Sequence, residues 1–303
     1  MIYTVTFNPA LDYVMNLKEL QSKDINRTES EQLYYGGKGI NVSVILSRLG
    51  IENKALGFLA GFSGKKIEEM LNAENINNDF VYLKKGYTRI NVKIKAEKDY
   101  DINAQGPDID ADEINALFDK LEKLKRGDYL VLAGSIPNSL PDDIYEEILA
   151  KLQNKGVNFA VDATGDLLLN VLKYKPFLIK PNHHELGDIF GVEVKDEAEI
   201  AYYAKKLQEM GARNVLVSRS KDGATLVDEF GKVHSMGNVE GKVINPVGCG
   251  DSMVAGFVAG YAKSNDYYYA LKLGSACGNA TAFCSGLADR DTIDKMLESE
   301  YSK

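Results

Sequence analysis

Asn245–Phe257 reads NPVGCGDSMVAGF, in which two glycines bracket a cysteine and a lone aspartate stands directly before an apolar pattern. Met253, Val254, Phe257, Val258 and Tyr261 recur at helical spacing, so Gly248–Gly250 are expected to precede a helix. A glycine turn in that place is a cradle for an anion. The unpaired N–H groups and the positive end of the helix dipole favour negative charge, and glycines let the backbone come close to it. Asp251 then has two readings. It is a capping or first-turn acid of the helix, or it accepts a proton from a hydroxyl while the neighbouring amides stabilise a transferring phosphoryl group.

A second glycine pair lies far upstream in YYGGKGINVSVILSRLG, again ahead of a helical pattern, with Lys38 and Asn41 available as polar contacts to a sugar or phosphate. The run is not a P-loop, because the glycine spacing and the terminal Lys-Ser/Thr pair are absent, and no dinucleotide GxGxxG follows the first strand. Around these turns the chain alternates. IYTVTFN and the apolar runs YLVLAG, FAVDA, FLIKP and VLVSR read as buried parallel strands. Amphipathic stretches near 110–125, 141–155 and 197–210 read as helices between them. Such alternation predicts βαβ units, hence a doubly wound α/β sheet whose ligands sit at the carboxyl ends of the strands. Two segments interrupt it, about 13–35 and 87–103, and are expected to form a small β-sheet lid inserted beside the main domain. The three tyrosines Tyr267–Tyr269 are expected to be packing residues.

The chain has 303 residues, 45% hydrophobic and 26% charged, which is ordinary for a soluble enzyme. Its net charge of −8 disfavours nucleic acid and anionic membranes, which need dense Lys and Arg. No apolar run is long enough to span a membrane, and MIYTVTFNPALD lacks a basic segment followed by an apolar one, so a cytoplasmic location is expected. Cys249, Cys277 and Cys284 are too few for a disulfide framework and lack the paired spacing of a zinc site. His183 and His184 are adjacent and His234 is far away, so surface or packing roles are expected for them.

Taken together, NPALD, GGKGIN, KPNHHEL and VGCGDS, in this order over nearly the whole chain, resemble the PfkB carbohydrate-kinase family. TRINVK, INAQGP, LAGSIPNSLP and VDATGDLL look closest to its bacterial 1-phosphofructokinase branch, with the tagatose-6-phosphate kinases as near relatives. The resemblance implies a single ribokinase-like domain over 1–303: a three-layer α/β sandwich with a mostly parallel sheet and the small lid.

It also implies roles, position by position. Asp251 matches the family's catalytic base, and Gly248, Cys249 and Gly250 its anion hole around the transferring γ-phosphate. Asp12 matches an acid that binds sugar hydroxyls, Gly36, Gly37, Lys38 and Asn41 the substrate turn, and Arg89 a contact to the substrate's own phosphate. For ATP, Lys180 and Asn182 match the Lys-Pro-Asn turn and Glu185 the acid that organises Mg²⁺ through water. Ser218, Gly223 and Asn279 match positions along the ATP phosphates and adenine. Val44, Pro246 and Cys249 depart from the branch, where many members carry Arg, Thr or Ser, and Ala. Arg27 matches a position on the lid's edge that reaches a neighbouring subunit, so a homodimer through the lid is expected.

The expected activity is transfer of the ATP γ-phosphate to a ketohexose monophosphate, foremost fructose 1-phosphate to fructose 1,6-bisphosphate. Tagatose-6-phosphate kinase is the alternative within the class, and a non-catalytic sugar-phosphate-binding regulator the alternative outside it. Cys249, at a helix N-terminus between glycines, is expected to have a lowered pKa, or else to be a small residue filling an alanine-sized site.

Overall fold

A strand apolar at successive positions must be covered on both faces, and this chain covers its strands with helices. A computed structural model describes residues 1–299. The main sheet contains β1 (Ile2–Thr6), β4 (Asn53–Leu59), β5 (Val81–Tyr82), β8 (Tyr129–Ala133), β9 (Asn158–Asp162), β10 (Leu178–Ile179), β11 (Asn214–Ser218), β12 (Ala224–Val227) and β13 (Val233–Met236). Their order is β13-β12-β11-β10-β9-β8-β1-β4-β5, parallel except for the antiparallel β11-β12-β13 edge. Leu130 and Leu132 of β8 enter one core with Val215 and Val217 of β11, while Val131, Ala133 and Leu216 enter the core on the opposite face.

The first face is covered by α3 (Ala111–Leu121), α4 (Ile144–Leu152), α5 (Gly165–Val171), α6 (His183–Phe190) and α7 (Glu197–Glu209). The second is covered by α1 (Lys38–Arg48), α8 (Cys249–Ser264), α9 (Tyr267–Ala282) and α10 (Arg290–Ser299). Helix α2 (Gly61–Ala73) completes a third core with α1, joining Ile67 and Leu71 to Ile40 and Val44. Capping fixes several starts: Asp110, Asn182, Asp196 and Asp266 each accept a first-turn N–H of α3, α6, α7 and α9, and α3 and α7 begin where the pattern predicts. The architecture is the expected three-layer α/β sandwich.

A second sheet, order β3-β2-β6-β7, stands apart, built from β2 (Ala10–Asn16), β3 (Ser30–Gly36), β6 (Arg89–Lys95) and β7 (Tyr100–Ile102). Among the described residues no helix is long and apolar enough to cross a membrane. Tyr267 packs as expected, stacking on Tyr261 at 4.5 Å between ring centroids, but Tyr268 is 51% exposed. The tyrosine run is a helix surface with one buried face, so only part of it packs. His183 and His184 stack on each other, His184 exposed, and His234 pairs with buried Asp228.

Candidate active site

The chain leaves β1 in one direction toward β4 and later returns on the other side of β1 to place β8, so the sheet order reverses beside β1. A crevice is expected at the carboxyl ends of the strands there. A cavity of about 320 Å³ opens at that point, walled by Thr6 at the end of β1 and Asn8 after it, Gly134 and Ser135 after β8, and Asp162 at the end of β9. Of the residues expected from the sequence, Gly37, Lys38 and Arg89 belong to this wall. Asp12, Asn41 and Asp251 lie beyond it, joined to it through hydrogen bonds and charge, and the nucleotide-side residues Ser218, Gly223 and Asn279 do not line it.

The two glycine turns meet. Gly37 caps the start of α1 at φ 126, where a Cβ would lie 2.6 Å from Thr6 Cγ2, so no other residue fits. Gly248 caps α8 at φ 83, in the left-handed region. Helix α8 therefore begins at Cys249, two residues earlier than the sequence pattern places it, and Cys249 and Gly250 belong to its first turn. Neither N-cap glycine supplies a capping side chain; Thr6 Oγ1 accepts the Ile40 N–H of α1 at 2.9 Å, and the other first-turn N–H groups have no intrahelical partner. Across the junction of the turns, Asn41 Nδ2 donates to Asp251 Oδ2 at 2.8 Å. Asp251 is a first-turn acid of α8 that makes no capping hydrogen bond; its carboxylate is engaged across the junction by Asn41.

Charge is concentrated behind the junction. Asp162 is 2% exposed and stands between Lys38 Nζ at 3.2 Å and Lys180 Nζ at 3.4 Å. Burial opposes the charge of Asp162, yet Lys180 and Lys38 together hold its pKa below the usual carboxylate range. Burial also opposes the charge of Lys38, and Asp162, Asp251 and Glu185 outweigh it, leaving that pKa raised. Gly250 lets Lys180 reach the turn, since a Cβ there would sit 3.3 Å from Nζ. For Asp251, burial and then the like charge of Asp162 push the pKa up to about 6, against the Asn41 bond and the two lysines. The result is a carboxylate tuned toward neutrality, beside two cations and two helix starts with glycine at the N-cap. Such a site can take a proton from a hydroxyl and hold an anion. Asp162 was missed by the motif reading. Its one signal was an acid ending the apolar run FAVDA, which resembles any polar strand end.

The remaining residues divide by element. Asp12 on β2 accepts from Asn91 Nδ2 at 2.8 Å and pairs with Lys93 at 3.4 Å. Half-buried Arg89 donates Nε to Asn8 O at 3.2 Å, and burial lowers its pKa while Asp12 opposes that shift. Asn182 and Glu185 form a reciprocal capping box on α6, with Glu185 Oε2 accepting the Asn182 N–H and Asn182 Oδ1 the Glu185 N–H. The Lys180–Asn182 turn is tied to β11 by Ser218 N–H donating to Pro181 O at 3.2 Å. Gly223 has φ 92 and no room for a Cβ, which would lie 2.0 Å from Met236 O.

One expectation is overturned. The Cys249 thiol is pushed up to about 11, by burial first and by the Asp251 charge second, so the helix start does not make it a thiolate. Desolvation and a like charge outweigh a dipole felt over one turn. Cys284 is half-buried and Cys277 fully buried.

The sequence matches the description pfkB family carbohydrate kinase over residues 5–293. The chain belongs to this family of carbohydrate kinases. A 1-phosphofructokinase of Bacillus subtilis (strain 168) is 43% identical over 297 residues, covering 98% of this chain and 97% of the relative. A D-tagatose-1-phosphate kinase of Bacillus licheniformis is 38% identical over 296 residues, covering 97% of each. The crystal structure of phosphofructokinase-2 from Escherichia coli in complex with fructose-6-phosphate matches with a TM-score of 0.90 at 26% identity, over 98% of this chain and 97% of that one.

Proposed function

We propose that this kinase transfers the γ-phosphate of ATP to the free primary hydroxyl of fructose 1-phosphate, giving fructose 1,6-bisphosphate and ADP. The observation that carries the reading is Asp251, buried at the first turn of α8 and raised to about 6. Its carboxylate takes the hydroxyl proton as the sugar oxygen bonds to phosphorus and the bond to the ADP oxygen breaks. The N–H groups of Cys249 and Gly250 and the ammonium of Lys180 hold the charge of the transferring group. Arg89 and Lys38 face the cavity as cations for the substrate's own phosphate, and Asp12 meets sugar hydroxyls. Lys180, Asn182, Ser218, Gly223 and Asn279 serve the nucleotide.

Mg²⁺ fits this site as a companion of ATP. Among the described residues no group of His, Cys, Asp and Glu could hold a metal ion alone. Glu185 has one oxygen engaged in the capping box and the other free for a metal-bound water, and Mg²⁺ characteristically takes few carboxylates, several waters and phosphate oxygens. The ion would neutralise the phosphates of ATP.

The deciding measurement is ADP release with fructose 1-phosphate, fructose 6-phosphate, D-tagatose 1-phosphate and tagatose 6-phosphate as acceptors. Fructose 1-phosphate is expected to give the highest kcat/KM. The Bacillus licheniformis relative favours D-tagatose 1-phosphate as the second reading, and tagatose 6-phosphate differs from it in the position of the phosphate. A sugar-phosphate-binding regulator would release no ADP with any of them, and such a protein has no use for a proton acceptor of raised pKa.

The pH profile follows from the same carboxylate. Asp251 must be ionised to act, so kcat/KM is expected to fall about tenfold for each pH unit below its pKa. The break should lie near 6. A profile flat down to the ordinary aspartate value, about 4, would contradict the role.

The second sheet is read as a lid on one kinase domain and as the contact of a homodimer. Tyr13, Val92 and Leu33 lie in register on its face away from Asp12, followed by Met15 with Ile94, and Ile102. Leu33 and Ile102 are 42% and 59% exposed, and Arg27 lies exposed between β2 and β3. An apolar sheet face of this kind is covered most simply by its own copy. Light scattering is expected to give twice the chain mass, and a monomer at micromolar concentration would refute the dimer. Free cysteines at positions 249, 277 and 284 fit the reducing cytoplasm.

A further inference from the structure

Asn91 is not among the residues the motifs single out, yet it is buried on the site face of β6 at 6% exposure. Strand alternation puts Arg89, Asn91 and Lys93 on that face, in register with Ala10, Asp12 and Val14 of β2. The Asn91 amide is used at both ends. Its Nδ2 donates to Asp12 Oδ1 at 2.8 Å, and its Oδ1 accepts the Ala104 N–H at 3.2 Å. Ala104 also offers its carbonyl to Arg89 Nη1 at 3.5 Å, and the next residue, Gln105, accepts Asn8 Nδ2 at 3.0 Å. Arg89 Nε closes the ring on Asn8 O at 3.2 Å. The segment after β7 thus ties the Asp12 side of the lid sheet to Arg89 and to the cavity wall.

A carboxylate needs a donor and a backbone N–H needs an acceptor. A short amide supplies both from separate atoms, which neither an acid nor a hydroxyl does. Lys93 Nζ lies 3.4 Å from the other oxygen, Asp12 Oδ2. Its ammonium is a point charge on a flexible stem and sets no orientation. The orientation of the Asp12 carboxylate therefore comes from Asn91.

We propose that Asn91 is a positioning residue for the sugar phosphate, fixing the Asp12 carboxylate relative to Arg89 so that hydroxyl and phosphate are met at one set separation. The inference rests on the reading of Asp12 and Arg89 given above. Asn91→Asp is the informative change. It is isosteric and keeps an acceptor for Ala104, but it sets a carboxylate against Asp12 and turns it away.

The test is a cycle of wild type, Asn91→Asp, Asp12→Asn and the double variant at pH 8, with fructose 1-phosphate KM, ATP KM, kcat and Tm measured on each. Asn91→Asp is expected to raise the fructose 1-phosphate KM about tenfold, the weight of one hydrogen bond to a charged group, and to leave the ATP KM within about twofold. In the Asp12→Asn background it should add nothing to KM, because a residue acting through another loses its effect when that partner is gone. A merely structural role would lower Tm or kcat and leave the KM split absent, which overturns the proposal. So would additive KM effects. If Asp12→Asn itself leaves the sugar-phosphate KM unchanged, the reading of Asp12 falls and this inference with it. If Asp12→Asn raises KM and Asn91→Asp does not, only the inference falls. Should Asn91→Asp fail to fold, Asn91→Ser, too short to reach Asp12, is held to the same outcomes.

Discussion

Replacing Asp251 with asparagine is expected to lower kcat by roughly 10²–10⁴, the range for removal of a general base, while the ATP Kd stays within about twofold. The amide keeps the shape of the side chain and can still accept the Asn41 hydrogen bond, so the junction of the two glycine turns survives. Only the capacity to take a proton is lost. Stability separates this from a structural lesion. Asp251 has a folded pKa of about 6. Its unfolded value is about 4, so the folded state binds the proton more tightly, and the ionised group costs stability at all pH values above its folded pKa. Removing that charge should leave Tm at pH 7.5 equal to wild type or higher. Coupled ADP release gives kcat, and calorimetry gives the ATP Kd and Tm. Turnover near that of wild type would reduce Asp251 to a first-turn acid.

Asp162→Asn is expected to act on stability and chemistry together. The substitution removes the counter-charge of Lys180, which is 7% exposed and cannot turn to water, while Lys38 at 42% can. Breaking one side of a buried ion pair costs about 3–5 kcal/mol, so Tm at pH 7.5 should fall by several degrees. Asp162 has a depressed folded pKa, so this contribution is present above the ordinary aspartate range and is lost as pH falls through the folded value. The Tm difference between the two proteins should therefore shrink in acid.

Activity should fall roughly 10²-fold, the scale of a displaced positioning group. The acid limb should move in the opposite sense to that loss. Asp162 is the second cause of the raised Asp251 pKa, so its removal lets Asp251 ionise at lower pH. The variant, slower throughout, should keep its own plateau below pH 6. An unmoved limb with an unchanged Tm would show that Asp162 neither holds the lysines nor tunes the base.

Several of these features could be read before any coordinates. Apolar runs of strand length, helices with their own caps and two glycine turns before helices are local patterns. Local periodicity is enough to specify layers, because a strand buried on both faces must be apolar at every position. Asp251, Lys38 and Asn41 were picked out because each stands at a fixed offset from a glycine turn, whereas Lys180 came only from the resemblance of its Lys-Pro-Asn turn. The start of α8 was placed slightly late because Gly248, in the left-handed region, already ends the turn.

Pairings between distant segments were a different matter. Asn41 and Asp251 are 210 residues apart and Lys38 and Asp162 are 124 apart, and no periodicity links such positions. Asn91, inside TRINVKIKA, reads as one polar residue of an exposed strand, and only the closing of the 103–106 segment over it makes it a buried bridge. Cys249 carries the same lesson in its pKa. Composition and a helix start argue for a thiolate, but the free energy of a charge depends on how much water is excluded and which charges stand nearby. The sequence by itself determined the layers, the turns and the residue types offered to the site. Tertiary structure alone decided which charges meet, because Coulomb and desolvation energies follow distance and burial in space rather than separation along the chain.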